Sequence, residues 1–302
     1  MNYQIRPLTL ALDKLDGLSP KLLASHHENN YSGAVKRLNA IRQQLAALDW
    51  SASPVFMING LKREELIAAN SAWLHELYFD GLGGTGRIGP QGLATVIERD
   101  FGSFERWRTE FAALAKAMGG GSGWALLSWS SREGRLINHW AADHTHLLAG
   151  ATPVLALDMY EHAYHMDFGA KAAAYVDAFM ANIDWNKVAQ RFSATVASDA
   201  AGLAVVHAAM PENKQLVDVR KAQAYADAHD LLAGATWHDP ARLPSWASEL
   251  DRDKPVVVYC RQGHEVSQSA ALSLRALGVD ARYLVGGIEG CREAGAEMAL
   301  KP

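Results

Sequence analysis

Two runs of helical periodicity lie near the start of the chain. Apolar residues recur every three or four positions from about Lys21 to Leu48 and again from about Glu64 to Leu77, which is the spacing of an amphipathic helix. The stretch SPVFMING between the two runs predicts a break in the helix. The pattern therefore predicts an N-terminal helical hairpin.

A different order follows the hairpin. The glycine-rich stretch GLGGTGRIGPQG (81–92) lacks the Lys-Ser/Thr ending of a phosphate loop and has no strand before it, so we interpret it as a flexible connection. Helical periodicity returns over 93–118, three β-like runs follow (GWALLSW, RLINHW and TPVLALD), and a last helical stretch covers 169–192. This order predicts an α/β part with a small antiparallel sheet, which together with the hairpin makes an α+β domain.

The rhythm changes again at QLVDVR. Short strands (LVDV, PVVVYC and ARYLVGG) alternate with helical stretches (AQAYADAHDLL and SQSAALSLRAL), which is typical of a parallel α/β unit. The Ala- and Ser-rich segment before it predicts a linker or an edge segment. We therefore expect a helical hairpin over 1–82, an α/β domain over 90–195, a linker over 196–210 and a second α/β domain with a parallel sheet over 211–302.

Composition and charge narrow the function classes. Apolar residues make up 49% of the 302 residues and the formal net charge is −4, which argues against a general nucleic-acid or anionic-membrane binder because both need a basic face. The apolar runs are too short to cross a bilayer, and the first residues lack the pattern of a signal peptide. We expect a cytoplasmic protein, in which Cys260 and Cys291 are chemical or simply buried rather than disulfide-bonded.

One segment, DMYEHAYHMDF (158–168), carries candidate metal chemistry. Asp158 ends the β-like run VLAL, and His162 follows four residues later, so the two side chains can face one point. His26 and His75, each on a predicted amphipathic helix, extend the set to three nitrogens and one oxygen. That ligand mix suits iron, manganese or zinc.

Several short motifs occur in a characteristic order along the first 195 residues. The segments HH (26–27) and WLH (73–75) are followed by FGSFE, GSGWALL and DxxEHAY, and in this order residues 1–195 resemble the iron/manganese superoxide dismutase family. The resemblance implies disproportionation of superoxide to oxygen and hydrogen peroxide, with one iron or manganese ion per subunit between the hairpin and the α/β part. The ligands it implies are His26, His75, Asp158 and His162, with water or hydroxide in a fifth position.

The resemblance also implies roles around the ion. His144 falls where some members have the histidine that bonds the bound solvent, and His146 is the alternative. Trp124 walls the site and excludes water, and Tyr160 stands where tryptophan is common. Glu161 is equivalent to the residue that reaches the partner's ligand histidine across the family's dimer, which implies a homodimer with coupled sites.

Two positions depart from the family pattern. Asn30 and Ala34 stand where the family has the histidine and the tyrosine that line the substrate entrance and supply protons, and neither side chain titrates in their place. Tyr164, a further candidate catalytic residue, thereby loses its usual cross-dimer histidine. Tyr31 replaces the missing tyrosine only if the helix is distorted. We expect metal binding to survive and proton delivery to be impaired or rerouted through water.

A second candidate site follows the strand PVVVY. Cys260 ends this strand before a loop and a helix, where the helix N-terminus and loop amides activate a thiol. With LVDVR, GAT and ARYLVGG it gives residues 205–302 a resemblance to the rhodanese family, which implies a persulfide-carrying Cys260 and an external sulfur donor or acceptor. In the loop CRQGHE we expect Glu265 to repel thiosulfate. Cys291 stands where family members have tryptophan, as a buried filler or a resolving thiol.

The sequence thus favours a dismutase-like metal domain fused to a single rhodanese-like domain. Peroxide oxidises thiols and persulfides, so the fusion raises the hypothesis that the two chemistries are coupled. Two other functions remain open. One is a metal-binding redox or sulfur sensor with a reactive thiol, and the other is a sulfurtransferase that uses the first domain as a dimer scaffold. The sequence does not choose between iron and manganese, because both accept the same ligands.

Overall fold

Helices dominate the first two thirds of the chain. The structure is a computed structural model that describes residues 2–301. A short 3₁₀ turn at Leu12–Lys14 precedes the first helices. The helices of this N-terminal part (residues 2–199) are α1 (Pro20–Ser25), a π-helical turn (His26–Tyr31), α2 (Ser32–Ala46), α3 (Val55–Asp80), α4 (Gly92–Phe101), α5 (Phe104–Ala117), α6 (His165–Phe168), α7 (Ala172–Ala181) and α8 (Trp185–Asp199).

The predicted hairpin is formed by α2 and α3, which pack against each other. The predicted break at SPVFMING is wrong at its C-terminal end, because α3 already begins at Val55, directly after Pro54. The proline has extended backbone, as is usual just before a first helical turn. Gly60 is tolerated within the helix, where a glycine costs only about 1 kcal/mol relative to alanine. The first turn of α3 is exposed, with Val55 82% and Phe56 74% accessible.

A three-stranded antiparallel sheet fills the middle of the N-terminal part, with strand order β2–β1–β3. Its strands are β1 (Trp124–Ser130), β2 (Arg135–Ala141) and β3 (Ala151–Asp158). The three β-like runs of the sequence are therefore strands. β1 is buried along its whole length, and the register pairs Trp124 with Asp158. The pairing brings the C-terminal end of β3 next to the start of β1.

The C-terminal part (residues 200–301) contains a five-stranded parallel sheet of order β4–β9–β8–β5–β7 and a two-stranded antiparallel ribbon of β10 and β6. Its strands are β4 (Ala204–Val205), β5 (Gln215–Asp218), β6 (Asp230–Leu232), β7 (Ala235–Trp237), β8 (Val256–Tyr259), β9 (Ala281–Leu284) and β10 (Met298–Leu300). Its helices are α9 (Ala222–Ala226), α10 (Leu243–Trp246), α11 (Glu265–Ala276) and α12 (Gly287–Glu293), with 3₁₀ turns at Ala201–Leu203, His207–Ala209, Pro240–Arg242 and Ala247–Glu249. The predicted α+β domain followed by a parallel α/β domain is confirmed.

The segment 196–210, assigned to a linker from its composition, contains ordered elements. It begins with the last turn of α8 and includes β4, which pairs in parallel with β9 at the sheet edge. The predicted helix AQAYADAHDLL is likewise shorter than expected, because only Ala222–Ala226 are helical and Asp230–Leu232 form β6. Pairing with distant strands decided both segments, and local composition carries no signal for such pairing.

The two parts pack directly on each other. Helix α11 of the C-terminal part lies against α4 and α8 of the N-terminal part, and Leu272 on α11 contacts the apolar cores of both parts. Ser273 Oγ donates a hydrogen bond to the carbonyl oxygen of Gly134, and Arg99 Nη2 donates to the same oxygen at 3.1 Å. The contact between the parts therefore combines apolar packing with paired polar groups.

Within the described residues, no helix combines the length and the apolar character needed to cross a membrane.

Candidate metal centre and candidate thiol site

Four side chains predicted from the sequence converge between the hairpin and the antiparallel sheet. His26 opens the π-helical turn, His75 lies on α3, Asp158 ends β3, and His162 lies in a 3₁₀ turn that follows. One ligand atom from each residue lies within 4.8 Å of the others. The π-helical turn is a local irregularity of a kind often found at functional sites.

The Asp158 carboxylate lies at the centre of this cluster. Its Oδ2 atom is 3.2 Å from His26 Nε2, 3.2 Å from His162 Nε2 and 3.4 Å from His75 Nε2. Its Oδ1 atom accepts a hydrogen bond from the Tyr160 backbone N–H at 2.8 Å. The hydrogen bond from Tyr160 fixes the carboxylate, so that Oδ2 faces the three imidazoles.

The cluster fits a cation, and His75 shows why. Its Nδ1–H donates to the backbone carbonyl of Ser71 at 2.6 Å, so the neutral ring carries a lone pair on Nε2. Nε2 is buried without a hydrogen-bond partner among the described residues, and it faces a carboxylate oxygen that is also an acceptor. Two facing lone pairs are stabilised by a positive ion between them, and the donor set of three nitrogens and one oxygen suits iron or manganese.

Burial sets the protonation states of these groups. It lowers the pKa of His75 to about 3, with the neighbouring His26 adding to the effect, and burial also lowers the pKa of His26 despite the nearby carboxylate. For Asp158, burial acts to raise the pKa, but hydrogen bonds from His162 and His26 hold it below its usual range. His26 and His75 are thus held as neutral imidazoles and Asp158 as an ionised carboxylate, which are the forms that bind metal.

His144 and Trp124 form one wall of the cluster. Trp124 Nε1–H donates to His144 Nδ1 at 2.9 Å, so the neutral His144 ring carries its proton on Nε2 and can donate a hydrogen bond. The Trp124 ring contacts His75 edge-on, with centroids 5.2 Å apart. His146, the alternative from the sequence, lies in the exposed loop beside Asp143. Of the two histidines, only His144 lies beside the cluster.

The supporting residues around the cluster were predicted only in part, because Tyr175 and Ser71 were missed from the sequence. Tyr160, expected only as a wall, stacks between His144 and His162, with centroid distances of 4.9 and 5.4 Å. Tyr175 Oη donates to the carbonyl oxygen of Asp158 at 2.8 Å, and Tyr164 stacks on Tyr175 rather than on the cluster. Ser71 orients His75 from one helical turn earlier. Only that four-residue spacing is a signal readable from the sequence.

A cavity of about 340 Å³ lies beside the cluster. Asn30, Ala34, Ser71 and His144 line it, together with Arg37. The two positions that depart from the dismutase pattern therefore share one cavity with the predicted solvent-bonding histidine.

The helix is distorted at the π-helical turn, which was the condition for Tyr31 to replace the missing tyrosine. Tyr31 nevertheless lies outside the cavity. Its hydroxyl donates to Glu76 at 2.8 Å and accepts from the Arg6 backbone N–H at 2.8 Å. Burial and the neighbouring Glu76 raise the pKa of Tyr31 to about 12. Tyr31 lines a separate cleft with His27 and does not line the cavity of Asn30 and Ala34. The hydroxyl of the missing entrance tyrosine is thus not replaced by Tyr31.

Glu161 is exposed, and His162 beside it retains 27% side-chain exposure, whereas His26 and His75 are buried. The cluster therefore opens toward the surface that carries Glu161.

The second candidate site lies at the C-terminal end of β8. Cys260 is 7% exposed, its Sγ lies 3.2 Å from Ser267 Oγ, and it borders a cavity of about 260 Å³. Behind it, Arg220 forms a buried ion pair with Asp218, with Nη2 2.6 Å from Oδ2. Arg220 Nη2 also donates to the carbonyl oxygen of Asp230 at 2.8 Å. These bonds fix the backbone beside the cavity.

Glu265 differs from its expectation, whereas Cys291 agrees with one of its two interpretations. Glu265 does not present a free carboxylate to the cavity, because Oε1 accepts from the Gly92 backbone N–H at 3.2 Å and Oε2 accepts from Ser193 Oγ at 3.3 Å. Cys291 lies in a different apolar cluster from Cys260, and burial raises the pKa of its thiol. This placement supports the buried-filler interpretation of Cys291.

Two family models match the chain. One, described as iron/manganese superoxide dismutases, C-terminal domain, matches residues 90–191. The other, described as rhodanese-like domain, matches residues 203–294.

Curated relatives match the N-terminal part. A superoxide dismutase [Fe] of Cupriavidus metallidurans is 65% identical over 196 residues, which are 65% of this chain and 99% of that protein. A superoxide dismutase [Mn] 2 of Haloferax volcanii is 35% identical over 199 residues, 65% of this chain and 98% of that protein. A superoxide dismutase [Fe] of Aquifex aeolicus is 35% identical over 198 residues, 63% of this chain and 92% of that protein.

Proposed function

Because the chain belongs to the iron/manganese superoxide dismutase family, we propose that its N-terminal part disproportionates superoxide at a metal ion held by His26, His75, Asp158 and His162. The observation that carries this proposal is the buried His75 Nε2, which has no hydrogen-bond partner within residues 2–301 and faces the Asp158 carboxylate. The net reaction converts two superoxide ions and two protons into one dioxygen and one hydrogen peroxide. Relatives named for iron and for manganese both match, so the cofactor is iron or manganese.

The bound ion supplies the one-electron redox chemistry, and the chain's own residues prepare the site for it. Ser71 orients His75, Tyr160 N–H fixes Asp158, and Trp124 N–H directs the proton of neutral His144 to Nε2. We assign His144 as a hydrogen-bond donor to solvent in the cavity that it lines. The buried Trp124 ring excludes bulk water, which strengthens the electrostatic interactions inside.

We further propose that the protein is a cytoplasmic homodimer formed through Glu161. The surface that carries Glu161 is the one toward which His162 is exposed, so a partner's carboxylate can reach that ring there. Both cysteines are free and buried, as suits a reducing compartment. The domain limits that we propose are 1–82 for the hairpin, 90–195 for the α/β part, 196–210 for the connection and 211–302 for the second domain.

Metal analysis, sedimentation and a superoxide assay on one preparation test these proposals together. We expect one iron or manganese ion per chain, a mass of two chains, and superoxide turnover that is lost on chelation and restored by the metal. Turnover that persists in the metal-free protein contradicts the proposed metal centre. A monomeric mass for the metal-loaded, active protein contradicts the Glu161 dimer alone.

The cavity beside the cluster is proposed as the superoxide entrance, with protons carried by water rather than by side chains. Asn30 and Ala34 line it without a titratable group, and Tyr31 lies outside it. We therefore expect Ala34→Tyr to raise kcat by up to about tenfold over Ala34→Phe, since proton transfer by a positioned side chain accelerates reactions substantially. The phenylalanine variant fills the same space without a hydroxyl. Equal kcat values for the two variants contradict a proton-limited wild-type protein.

The second domain is proposed to carry sulfur on Cys260. The Cys260 thiolate attacks the outer sulfur of a donor such as thiosulfate, a new S–S bond forms, and the donor's S–S bond breaks as sulfite leaves with the electron pair. The resulting persulfide then passes its outer sulfur to an acceptor thiolate. The position of Cys260 at the end of β8, before α11 and at the edge of a cavity, supports this function.

A further inference from the structure

The loop that contains Cys260 is held by the N-terminal part through its one acidic residue. Glu265 is the first residue of α11 and the only acid among the described residues that line the Cys260 cavity. Its two carboxylate oxygens bond Gly92 N–H and Ser193 Oγ, which belong to α4 and α8. The negative charge is therefore held by donors outside the C-terminal part.

The hydrogen bond between Gly92 N–H and the Glu265 carboxylate stabilises both helix α4 and the carboxylate. Gly92 begins α4, whose first N–H groups have no partners within the helix, and Gln91 before it provides no side-chain cap. A carboxylate at a helix N-terminus satisfies such a group and is stabilised by the helix dipole. Glu265 thus acts as a cap supplied by the other part of the chain.

The fit requires glycine at position 92. A Cβ atom there would lie 2.1 Å from Glu265 Oε1, 2.4 Å from Cγ and 2.6 Å from Cδ. These three Glu265 atoms are its nearest neighbours, and Gly92 has no left-handed φ, so the helix itself accepts alanine. An added methyl group would therefore displace Glu265 rather than strain α4.

A second contact joins the same two surfaces. Lys221, which also lines the Cys260 cavity, donates from Nζ to the carbonyl oxygen of Pro90. The segment 90–92 therefore contacts two residues that line the cavity, the cationic Lys221 and the anionic Glu265. The Pro90 carbonyl accepts a hydrogen bond from the Lys221 ammonium group, and the Gly92 N–H donates one to the Glu265 carboxylate.

We propose that Glu265 is a positioning residue through which the N-terminal part sets the charge of the Cys260 cavity, so that the cavity admits anionic sulfur donors. This inference rests on the proposed sulfur-carrying function of Cys260 for its biological meaning. With Glu265 bound to Gly92 and Ser193, the remaining charged or titratable lining groups are Arg220, Lys221, Arg261 and His264. Arg220 and Arg261 are paired with Asp218 and Glu289, so release of Glu265 would turn its negative charge toward a cavity in which Lys221 alone, among the described lining residues, is a cation without an acidic partner.

Two alkylating reagents of nearly equal size test this proposal in the full-length protein. Iodoacetamide is neutral and iodoacetate is anionic, and both add their carbon to the Cys260 sulfur with loss of iodide. We expect Gly92→Ala to lower the ratio of the iodoacetate rate to the iodoacetamide rate about tenfold, the order expected for one nearby charge. The double variant Gly92→Ala/Glu265→Ala should restore the ratio, because it removes both the clash and the charge.

Glu265→Gln in the wild-type background is the matched control. The amide keeps the shape, its oxygen can accept from Gly92 N–H and its NH2 group can donate to Ser193 Oγ, so the rate ratio should stay within about twofold if the wild-type carboxylate is already held away from the donor. A large rise of the ratio in this variant, or an unchanged ratio in Gly92→Ala, overturns the proposal.

The thiosulfate reaction separates this inference from the function on which it rests. If wild-type Cys260 takes no sulfur from thiosulfate while the alkylation ratios behave as expected, the proposed sulfur transfer fails for that donor and the role of Glu265 stands. If Cys260 forms a persulfide equally fast in wild type and Gly92→Ala, with equal alkylation ratios, the role of Glu265 fails alone. Superoxide turnover should be unchanged in all these variants, which shows that the N-terminal part remains folded.

Discussion

Replacement of Asp158 by alanine is expected to leave a folded chain that neither retains iron or manganese nor disproportionates superoxide. Asp158 supplies the one carboxylate of the cluster, and its Oδ2 atom faces three imidazole nitrogens. Loss of a group that only orients a ligand typically costs 10–100-fold in metal affinity, so loss of this ligand should cost at least about 100-fold. Metal content after gel filtration and superoxide turnover measure the effect.

Thermal unfolding gives a second readout for the same variant. A metal that binds only the native state raises the unfolding temperature, and the stabilisation grows with the logarithm of its concentration relative to its Kd. Wild type should therefore lose thermal stability on chelation, whereas Asp158→Ala should unfold at the same temperature with and without metal. Asp177→Ala is the matched control, because Asp177 is an exposed carboxylate on α7 that pairs with Lys116. Retention of metal and activity by Asp158→Ala contradicts the proposed ligand set.

Replacement of Cys260 by serine is expected to abolish persulfide formation and to leave superoxide turnover intact. A serine hydroxyl is almost fully protonated near neutral pH, so it lacks the thiolate that attacks a sulfur donor. After incubation with thiosulfate, intact-mass spectrometry should show a gain of about one sulfur atom in wild type and none in Cys260→Ser.

Cys291→Ser is the control that the chain offers. Cys291 is buried on α12, in a separate apolar cluster from Cys260, so its replacement should leave the sulfur gain unchanged. A sulfur gain that persists in Cys260→Ser but disappears in Cys291→Ser would identify Cys291 as the reactive thiol and contradict the assignment to Cys260. A larger or longer-lived gain in Cys291→Ser would instead support a resolving role for Cys291, because a resolving thiol consumes the persulfide.

The two predictions also bear on the proposed coupling of the two chemistries. Hydrogen peroxide from the N-terminal part oxidises thiols and persulfides, and the Cys260 loop is hydrogen-bonded to α4 and α8 of that same part. The structure therefore joins the two sites mechanically as well as along the chain. Independent loss of one activity in each variant is compatible with this, because the contacts described between the two parts, including those of Glu265, Ser273 and Lys221, involve none of the proposed metal ligands.

The sequence by itself determined the elements and the types of the site residues. Helical periodicity predicted the hairpin, apolar runs predicted the three strands of the antiparallel sheet and β5, β8 and β9 of the parallel sheet, and the order of short sequence motifs identified the candidate ligands and Cys260. These signals are local, because each depends on residues within one turn or one strand. The sequence misled where pairing is nonlocal, as for β4 at the sheet edge, and at helix ends, as for the start of α3.

Only the tertiary structure decided the directions of the side chains. Tyr31 and Ala34 are three residues apart, yet Tyr31 bonds Glu76 while Ala34 lines the cavity beside His144. Ser71 and Trp124, which fix the imidazoles of His75 and His144, act through a backbone carbonyl and an indole N–H. Such bonds depend on geometry within a few tenths of an ångström, and residue type alone does not encode it.

Glu265 shows most clearly the difference between what residue type predicts and what the tertiary structure decides. Its place in the loop after Cys260 predicted a charge that repels anionic donors, but both carboxylate oxygens accept hydrogen bonds from the N-terminal part instead. The fold places the glycine at the start of α4 and the serine on α8 against it, 173 and 72 residues away along the chain. The sequence determined that an acid stands beside the thiol. The packing of one part on the other decided where its charge lies, because only folded helices bring those donors within hydrogen-bonding distance.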